Sequence, residues 1–334
     1  RLRLASFSEG VILPHERTLS GPKLDRLNLM KATNAHFSQI FTMYRDPASE
    51  TERVFRRIER AAPDIDVTTD DGVRHVVWRV RDHEQIGALS RFFGPRPLYI
   101  ADGHHRYETL LALRDHYAAA AGGTLPPHAQ GQFGTMFLAN MDDPGLVVLP
   151  THRIVHSLPG FSADTLLEKA RAYFVVQRLP DGARDGVKLR QAVASGLDHA
   201  PTFAAVFPGR DDAWLLSLDP HLNPASVGLV GASAAVRLDV TLLHGLLLER
   251  GLGIDSAAQE AQTNLRYVKD TATALKEIGA GDGQVAFIMN PPRLEQIRAV
   301  AEAGEVMPQK STYFYPKLAS GLVMHRVDPE GELP

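Results

Sequence analysis

The segment Leu98-Tyr-Ile-Ala-Asp-Gly-His-His-Arg-Tyr-Glu-Thr109 constrains this chain more than any other. Leu98–Ala101 is a short apolar run, the pattern of a buried strand. Gly103 permits a sharp turn. From about His104 to Ala121, Leu110, Leu113 and Tyr117 recur on one helical face with Leu111 beside them. Gly122-Gly123 stops the helix. A strand running straight into a helix leaves the first helical N–H groups without internal acceptors, and the helix dipole adds partial positive charge there. Such an end is suited to phosphate. Arg106 can fork onto phosphate oxygens, and His104 and His105 can donate hydrogen bonds from the first turn. Asp102, at the C-terminal edge of the strand, suits a ligand of Mg²⁺ on a nucleotide. Alternatively Asp102 caps the helix and the His pair is solvated surface. Zinc fits less well, because adjacent His side chains diverge and no third ligand stands at helical spacing.

Around this segment, strand and helix patterns alternate. Strands are predicted over 11–13, 37–44, 134–141 and 145–149, and helices from Leu24 to Lys31 and over 50–61 and 82–93. Residues 64–80 place Asp70-Asp71-Gly72 between two β-rich runs, the signature of a hairpin. Past Pro150 come two or three strand–helix units, a strongly apolar helix over 240–250, and strand–helix–strand–helix over 265–303. The tail 309–323 is polar, aromatic and punctuated by Gly and Pro, unlike a core strand. The alternation predicts a mixed α/β (α+β) architecture. It divides into a portion 1–150 that carries the Asp-Gly-His-His-Arg box and a second α/β portion 151–334.

The 334 residues include no cysteine, which excludes disulfides, thiolate catalysis and Cys-based metal sites. That also fits a reducing compartment, so a cytoplasmic location is expected. With 36 Lys+Arg against 39 Asp+Glu the formal charge is -3, and no whole-surface attraction to nucleic acid or anionic lipid follows. No apolar run is long enough for a membrane helix. The first ten residues lack the apolar core of a signal peptide. They also lack a starting Met and read like the middle of a strand, so the chain is expected to begin inside a longer protein. Nothing in the sequence sets an oligomeric state.

Two further clusters carry functional groups. In His15-Glu-Arg-Thr18, Glu16 can accept the proton of a substrate hydroxyl, or it pairs with Arg17. Lys310, Ser311 and Thr312 form a loop-borne cationic and hydroxyl group suited to phosphate or carboxylate, without the Gly-rich lead of a Walker loop. Lys23, Asp25 and Arg26 read as a charged solvent face. Pro150-Thr-His-Arg153 can add polar groups at a strand end. Asn140, His152, Asn264 and Arg266 are weaker candidates, and Trp78 and Trp214 read as packing residues.

Asp102-Gly-His-His-Arg-Tyr-Glu108 resembles the signature of the family catalogued as domain of unknown function 1015. Val11-Ile-Leu-Pro-His-Glu-Arg-Thr18, Lys31-Ala-Thr-Asn-Ala-His-Phe-Ser-Gln-Ile-Phe41 and Lys310-Ser-Thr-Tyr-Phe-Tyr-Pro-Lys317 agree with it in the same order. The Gly-x-His-Arg-Tyr pattern is also similar to the phosphate-binding box of the sulfiredoxin and ParB-like superfamily, which includes a free-serine kinase. That resemblance implies a ParB/sulfiredoxin-like core in which Gly103, His105 and Arg106 hold nucleotide phosphates and Asp102 sits beside the transferred group. His104 matches the reactive Cys of sulfiredoxin, and a chain without cysteine cannot perform that repair. Glu16 matches the upstream Glu of the kinase. The implied activity is a kinase using ATP or ADP with Mg²⁺ on a small hydroxyl metabolite such as serine. The alternatives are a nucleotide-binding regulator of ParB type and a phosphohydrolase.

Overall fold

Four residues in a row, Leu98 to Ala101, are buried, so the strand predicted there has both faces covered. The computed structural model describes residues 1–16, 18, 21–183, 185–196, 199–229, 231 and 233–333. Its architecture is mixed α/β, as the alternation predicts. Two units are distinguished. Unit 1 comprises Arg1–Pro14, Thr18–Val147 and Phe314–Pro334, and unit 2 comprises His15–Arg17 and Val148–Tyr313.

Unit 1 contains the strands β1 (Ile12–Leu13), β2 (Ile40–Tyr44), β3 (Ile65–Thr68), β4 (Arg74–Val77), β5 (Leu98–Asp102) and β6 (Met136–Asn140). Its main helices are α1 (Gly21–Thr33), α2 (Glu50–Ile58), α3 (His83–Phe93) and α4 (His104–Ala120). The four-stranded sheet is ordered β1-β5-β2-β6. β5 runs parallel to β1, with Ile12 opposite Leu98, and antiparallel to β2, with Phe41 opposite Asp102. The register slips between Phe41 and Thr42, a bulge beside the end of β5 that re-aims the backbone there.

The face of α4 predicted to be apolar is the buried one. Tyr107, Leu110, Leu113 and Tyr117 join Ile12, Ile40 and Ile100 in one core cluster, and each fully buried aliphatic side chain contributes about 1.5–3 kcal/mol. The hydroxyl of Tyr107 is satisfied: it donates to Ala5 O at 2.6 Å and accepts from Ala5 N at 3.0 Å. Asp82 caps α3 by accepting from the backbone of Glu84 and Gln85. The predicted hairpin forms as β3 and β4, paired from Ile65–Val77 to Thr68–Arg74, yet none of its strand residues is buried.

The tail departs from expectation. Phe314, in a stretch too polar to read as core, is fully buried and lies 5.7 Å from the ring of Phe41. The chain then runs back along residues 34–39. Gly321 N donates to Phe37 O at 3.0 Å, His325 pairs with His36, and Val327 N donates to Asn34 O at 2.7 Å.

Unit 2 is built on β7 (His152–Val155), β8 (Phe174–Leu179), β9 (Thr202–Val206), β10 (Ala213–Leu218), β11 (Leu265–Val268) and β12 (Val285–Ile288). They form one sheet in the order β8-β10-β9-β12-β7-β11, antiparallel at each junction. Ile154, Ala204, Ala286 and Ile288 pack against Leu189 and Val193 of the helix Gly186–Ser195 and Ala274 and Ile278 of the helix Thr271–Gly279. The apolar helix predicted over 240–250 begins as one α-helical turn and continues as a π-helix over Leu243–Gly251. An all-round apolar pattern marks burial but does not distinguish these two windings. Among the described residues, no helix is long and apolar enough to cross a membrane.

Candidate functional site

The end of β5 and the start of α4 meet at Gly103, whose φ of +100° is a conformation L side chains rarely adopt. A Cβ at this position would also lie 3.0 Å from the guanidinium of Arg106. Glycine therefore serves the turn twice, in backbone angle and in space. It has no side chain with which to cap α4.

Asp102 is the centre of the polar cluster in unit 1. Its Oδ2 accepts from Arg106 Nη2 at 2.7 Å and its Oδ1 from Lys317 Nζ at 2.9 Å. Burial pushes the Asp102 carboxyl up, but Lys317 and then Arg106 outweigh it and hold it below the usual range. Arg106 is the most enclosed of the three, with its side chain 15% exposed against 39% for Asp102 and 37% for Lys317. Its Nη1 donates to Ser38 Oγ at 3.0 Å and to Gln39 O at 2.6 Å. Arg106 thus braces Asp102 against the 38–39 loop, while Lys317 is the more accessible cation. His104 is buried and His105 half-buried. Glu108, one turn on, accepts from Thr18 Oγ1 at 2.7 Å and pairs with Lys23, so that lysine is engaged with α4.

Asp102 offers a single carboxylate, and each of its oxygens already faces a cation. Among the described residues, no group of three or more His, Asp or Glu is placed to hold an ion by itself. An Mg²⁺ ion at Asp102 would have to arrive with a nucleotide and take most of its ligands from phosphate oxygens and water.

Unit 2 holds Glu16, Lys310, Ser311 and Thr312. Thr312 Oγ1 donates to Glu16 Oε1 at 3.2 Å and lies 3.1 Å from His15 Nε2. With the Thr312 hydroxyl donating to Glu16, its oxygen is left to accept from His15. Ser311 Oγ is spent on Pro308 O, and Lys310 contributes its carbonyl, which accepts from Arg153 Nη2 at 3.1 Å. Arg17, the alternative partner of Glu16, lies outside the described residues.

Arg153, in the sequence only one member of a polar strand end, proves to be the centre of this cluster. It is 1% exposed, and burial lowers its pKa to about 10, against the raising effect of Tyr267 and Glu16. Its Nε donates to His244 Nε2 at 3.3 Å and its Nη1 to Thr151 O. Burial also drives His244 down to about 3, so the ring is neutral, and its Nδ1–H donates to Gln259 Oε1 at 2.7 Å.

The weaker candidates have structural partners. Asn140 Oδ1 accepts from the backbone of Asp46 and Asp142, both at 3.0 Å. His152 accepts from Met289 N at 3.1 Å on Nδ1 and meets Thr271 Oγ1 at 3.0 Å on Nε2. Asn264 Nδ2 donates to the carbonyls of His156 and Ser157, and Arg266 pairs with Glu277 at 2.6 Å. Lys317 is a member of the Asp102 cluster that no local pattern singles out. Its one sequence signal is its place at the end of the Lys310–Lys317 stretch that carries the family resemblance.

No curated protein matches the chain. Among solved structures, a mutant of a free serine kinase in complex with ADP aligns over 96% of this chain and 90% of its own, at TM-score 0.47 and 11% identity. A conserved hypothetical protein from Pyrococcus furiosus aligns over 96% and 93%, at TM-score 0.44 and 12% identity. SbnI with a C-terminal truncation, from Staphylococcus aureus, aligns over 95% and 83%, at TM-score 0.42 and 13% identity. The model of the family described as protein of unknown function (DUF1015) matches residues 1–241, which span β1 to β5, Gly103 and all of α4, and the chain belongs to that family.

Proposed function

We propose that unit 1 holds the phosphates of a nucleotide at the start of α4, and that the chain is a nucleotide-dependent phosphotransferase acting on a small hydroxyl metabolite, with free serine as the first substrate to try. One observation carries the phosphate reading. The returning tail brings Lys317 to Asp102, where β5 ends and α4 begins from an uncapped glycine.

The physical case is additive. The first N–H groups of a helix have no intrahelical acceptor, and the dipole places roughly half a positive charge there. In this reading Asp102-Gly-His-His-Arg106 serves as a phosphate box of the ParB/sulfiredoxin kind. Arg106 keeps the turn in place through Asp102, Ser38 and Gln39. Lys317, more than a third exposed, exchanges part of its contact with Asp102 for a phosphate oxygen. Phosphoryl transfer depends mainly on such positioning and charge stabilisation.

The test is to incubate the protein with ADP, ATP or CTP, Mg²⁺ and a pool of amino acids and to follow ³¹P NMR. New phosphomonoester signals are expected, together with a loss of nucleotide affinity of about tenfold or more in Lys317→Ala, a free-energy change of about 1.4 kcal/mol. Binding without turnover would replace the kinase with a regulator, and release of inorganic phosphate alone would replace it with a hydrolase. If no nucleotide or phosphate raises the melting temperature, the phosphate site itself is refuted.

A further inference from the structure

We infer that the nucleoside part of this nucleotide seats its aromatic base in the 690 Å³ cavity that the β3–β4 hairpin and α2 form with the β6 edge of the sheet. The inference rests on the phosphate reading above and extends it to a second subsite in unit 1.

Three observations point to the cavity. It adjoins the polar cluster through two residues that line it: Gln39, whose carbonyl accepts from Arg106, and Leu318, the residue after Lys317. Lys317 and Leu318 are consecutive, their Cα atoms about 3.8 Å apart, so the backbone that carries the lysine runs on into the cavity wall. Its volume falls in the range of small-ligand sites, and its walls supply apolar and aromatic surface from Phe55, Val76, Trp78 and Phe137. The indole N–H of Trp78 donates to Ala61 O at 2.9 Å, which fixes the ring. Finally, the hairpin is incompletely covered. None of the residues of β3 and β4 is buried, and a two-stranded sheet without a packed face is marginal on its own. Phe137, on the edge strand β6, is 43% exposed. A planar base would cover these apolar groups by stacking, as bases do on aromatic side chains.

The test measures affinity of the full chain for ADP and for pyrophosphate by calorimetry in three variants. Val76→Trp fills the cavity, and Phe137→Ala removes a wall that is 43% exposed, at the loss of its edge-on contact with the buried ring of Phe41. Each is expected to weaken ADP at least tenfold while leaving pyrophosphate within twofold. Lys317→Ala is expected to weaken both ligands. If Val76→Trp and Phe137→Ala leave ADP binding intact while Lys317→Ala weakens both, the base pocket is refuted and the phosphate reading survives. If Lys317→Ala changes neither ligand, the phosphate reading fails and takes this inference with it. Self-association that Phe137→Ala abolishes with ADP affinity unchanged would assign the cavity to a second copy of the chain and overturn the inference.

Discussion

Each unit places an arginine at the heart of a polar cluster, and the two are built in opposite ways. In unit 1, Arg106 meets a carboxylate, and a second cation, Lys317, shares that carboxylate at a partly exposed strand end. In unit 2, Arg153 is fully enclosed and donates to neutral acceptors: an imidazole nitrogen and the carbonyls of Thr151 and Lys310. Burying a guanidinium is tolerable only when its donors are satisfied, which turns Arg153 into a fixed joint among three chain segments. Ion pairs at a solvated rim add little stability, generally below about 1 kcal/mol, and so remain free to exchange partners. Enclosure makes an arginine structural, and a shared carboxylate at a rim leaves Lys317 as the more exposed of its two cations.

The contrast breaks most visibly at Arg153. Arg153→Ala removes the donor to three acceptors and opens a cavity in the core, and is expected to cost about 3–5 kcal/mol. Chemical denaturation checks it. A loss below about 1 kcal/mol would show that the buried network is no joint at all.

The next largest effect is a pH response, also on the buried side. His152 is held near pKa 4 by burial, against an ordinary value of 6.5, with the Arg153 charge adding to the depression. The folded state therefore binds fewer protons than the unfolded chain between pH 6.5 and 4. Stability from this group is complete above 6.5, drains away as pH falls to about 4, and is constant below. The shift corresponds to roughly 3 kcal/mol across that window. His152→Gln is expected to remove that share of the acid loss, read as the difference between unfolding free energies at about pH 7 and about pH 4. An unchanged difference would contradict a neutral, buried imidazole.

How much of this was legible in the sequence depends on range. Leu98–Ala120 was readable because its signals are local: an apolar run, a glycine where φ must be positive, and a 3.6-residue apolar stripe. Lys317 was not, because it meets Asp102 across 215 residues of chain, and no local pattern encodes where a tail returns. Phe314 disappears into the core from a polar neighbourhood for the same reason. Arg153 was hidden by a sound prior, since arginine is almost never fully buried. The π-helix escaped because winding is set by packing around Leu243–Gly251, not by composition. In Lys310-Ser311-Thr312, residue type suggested three polar side chains, but hydrogen bonding uses the carbonyl of the first and turns the hydroxyl of the second back on Pro308.

The smallest expected stability effect sharpens the comparison from the exposed side. At Gly103 an alanine must adopt φ near +100° and bring its Cβ to within 3.0 Å of the Arg106 guanidinium. Strain of this kind costs about 1–2 kcal/mol. The side chain of Arg106 yields more easily than the backbone, so Arg106 is pushed off Asp102 while α4 keeps its buried face. Gly103→Ala should then fold with a modest fall in melting temperature and lose phosphate affinity by about tenfold or more. Arg153→Ala should do the reverse among molecules that remain folded, with a large fall in stability and pyrophosphate affinity retained. Calorimetry on both variants at a temperature where each is folded separates the cases. Should Gly103→Ala bind pyrophosphate as tightly as the parent chain, the turn at the end of β5 would be a structural feature like the Arg153 joint, and the distinction between the two arginines would fail where it matters most.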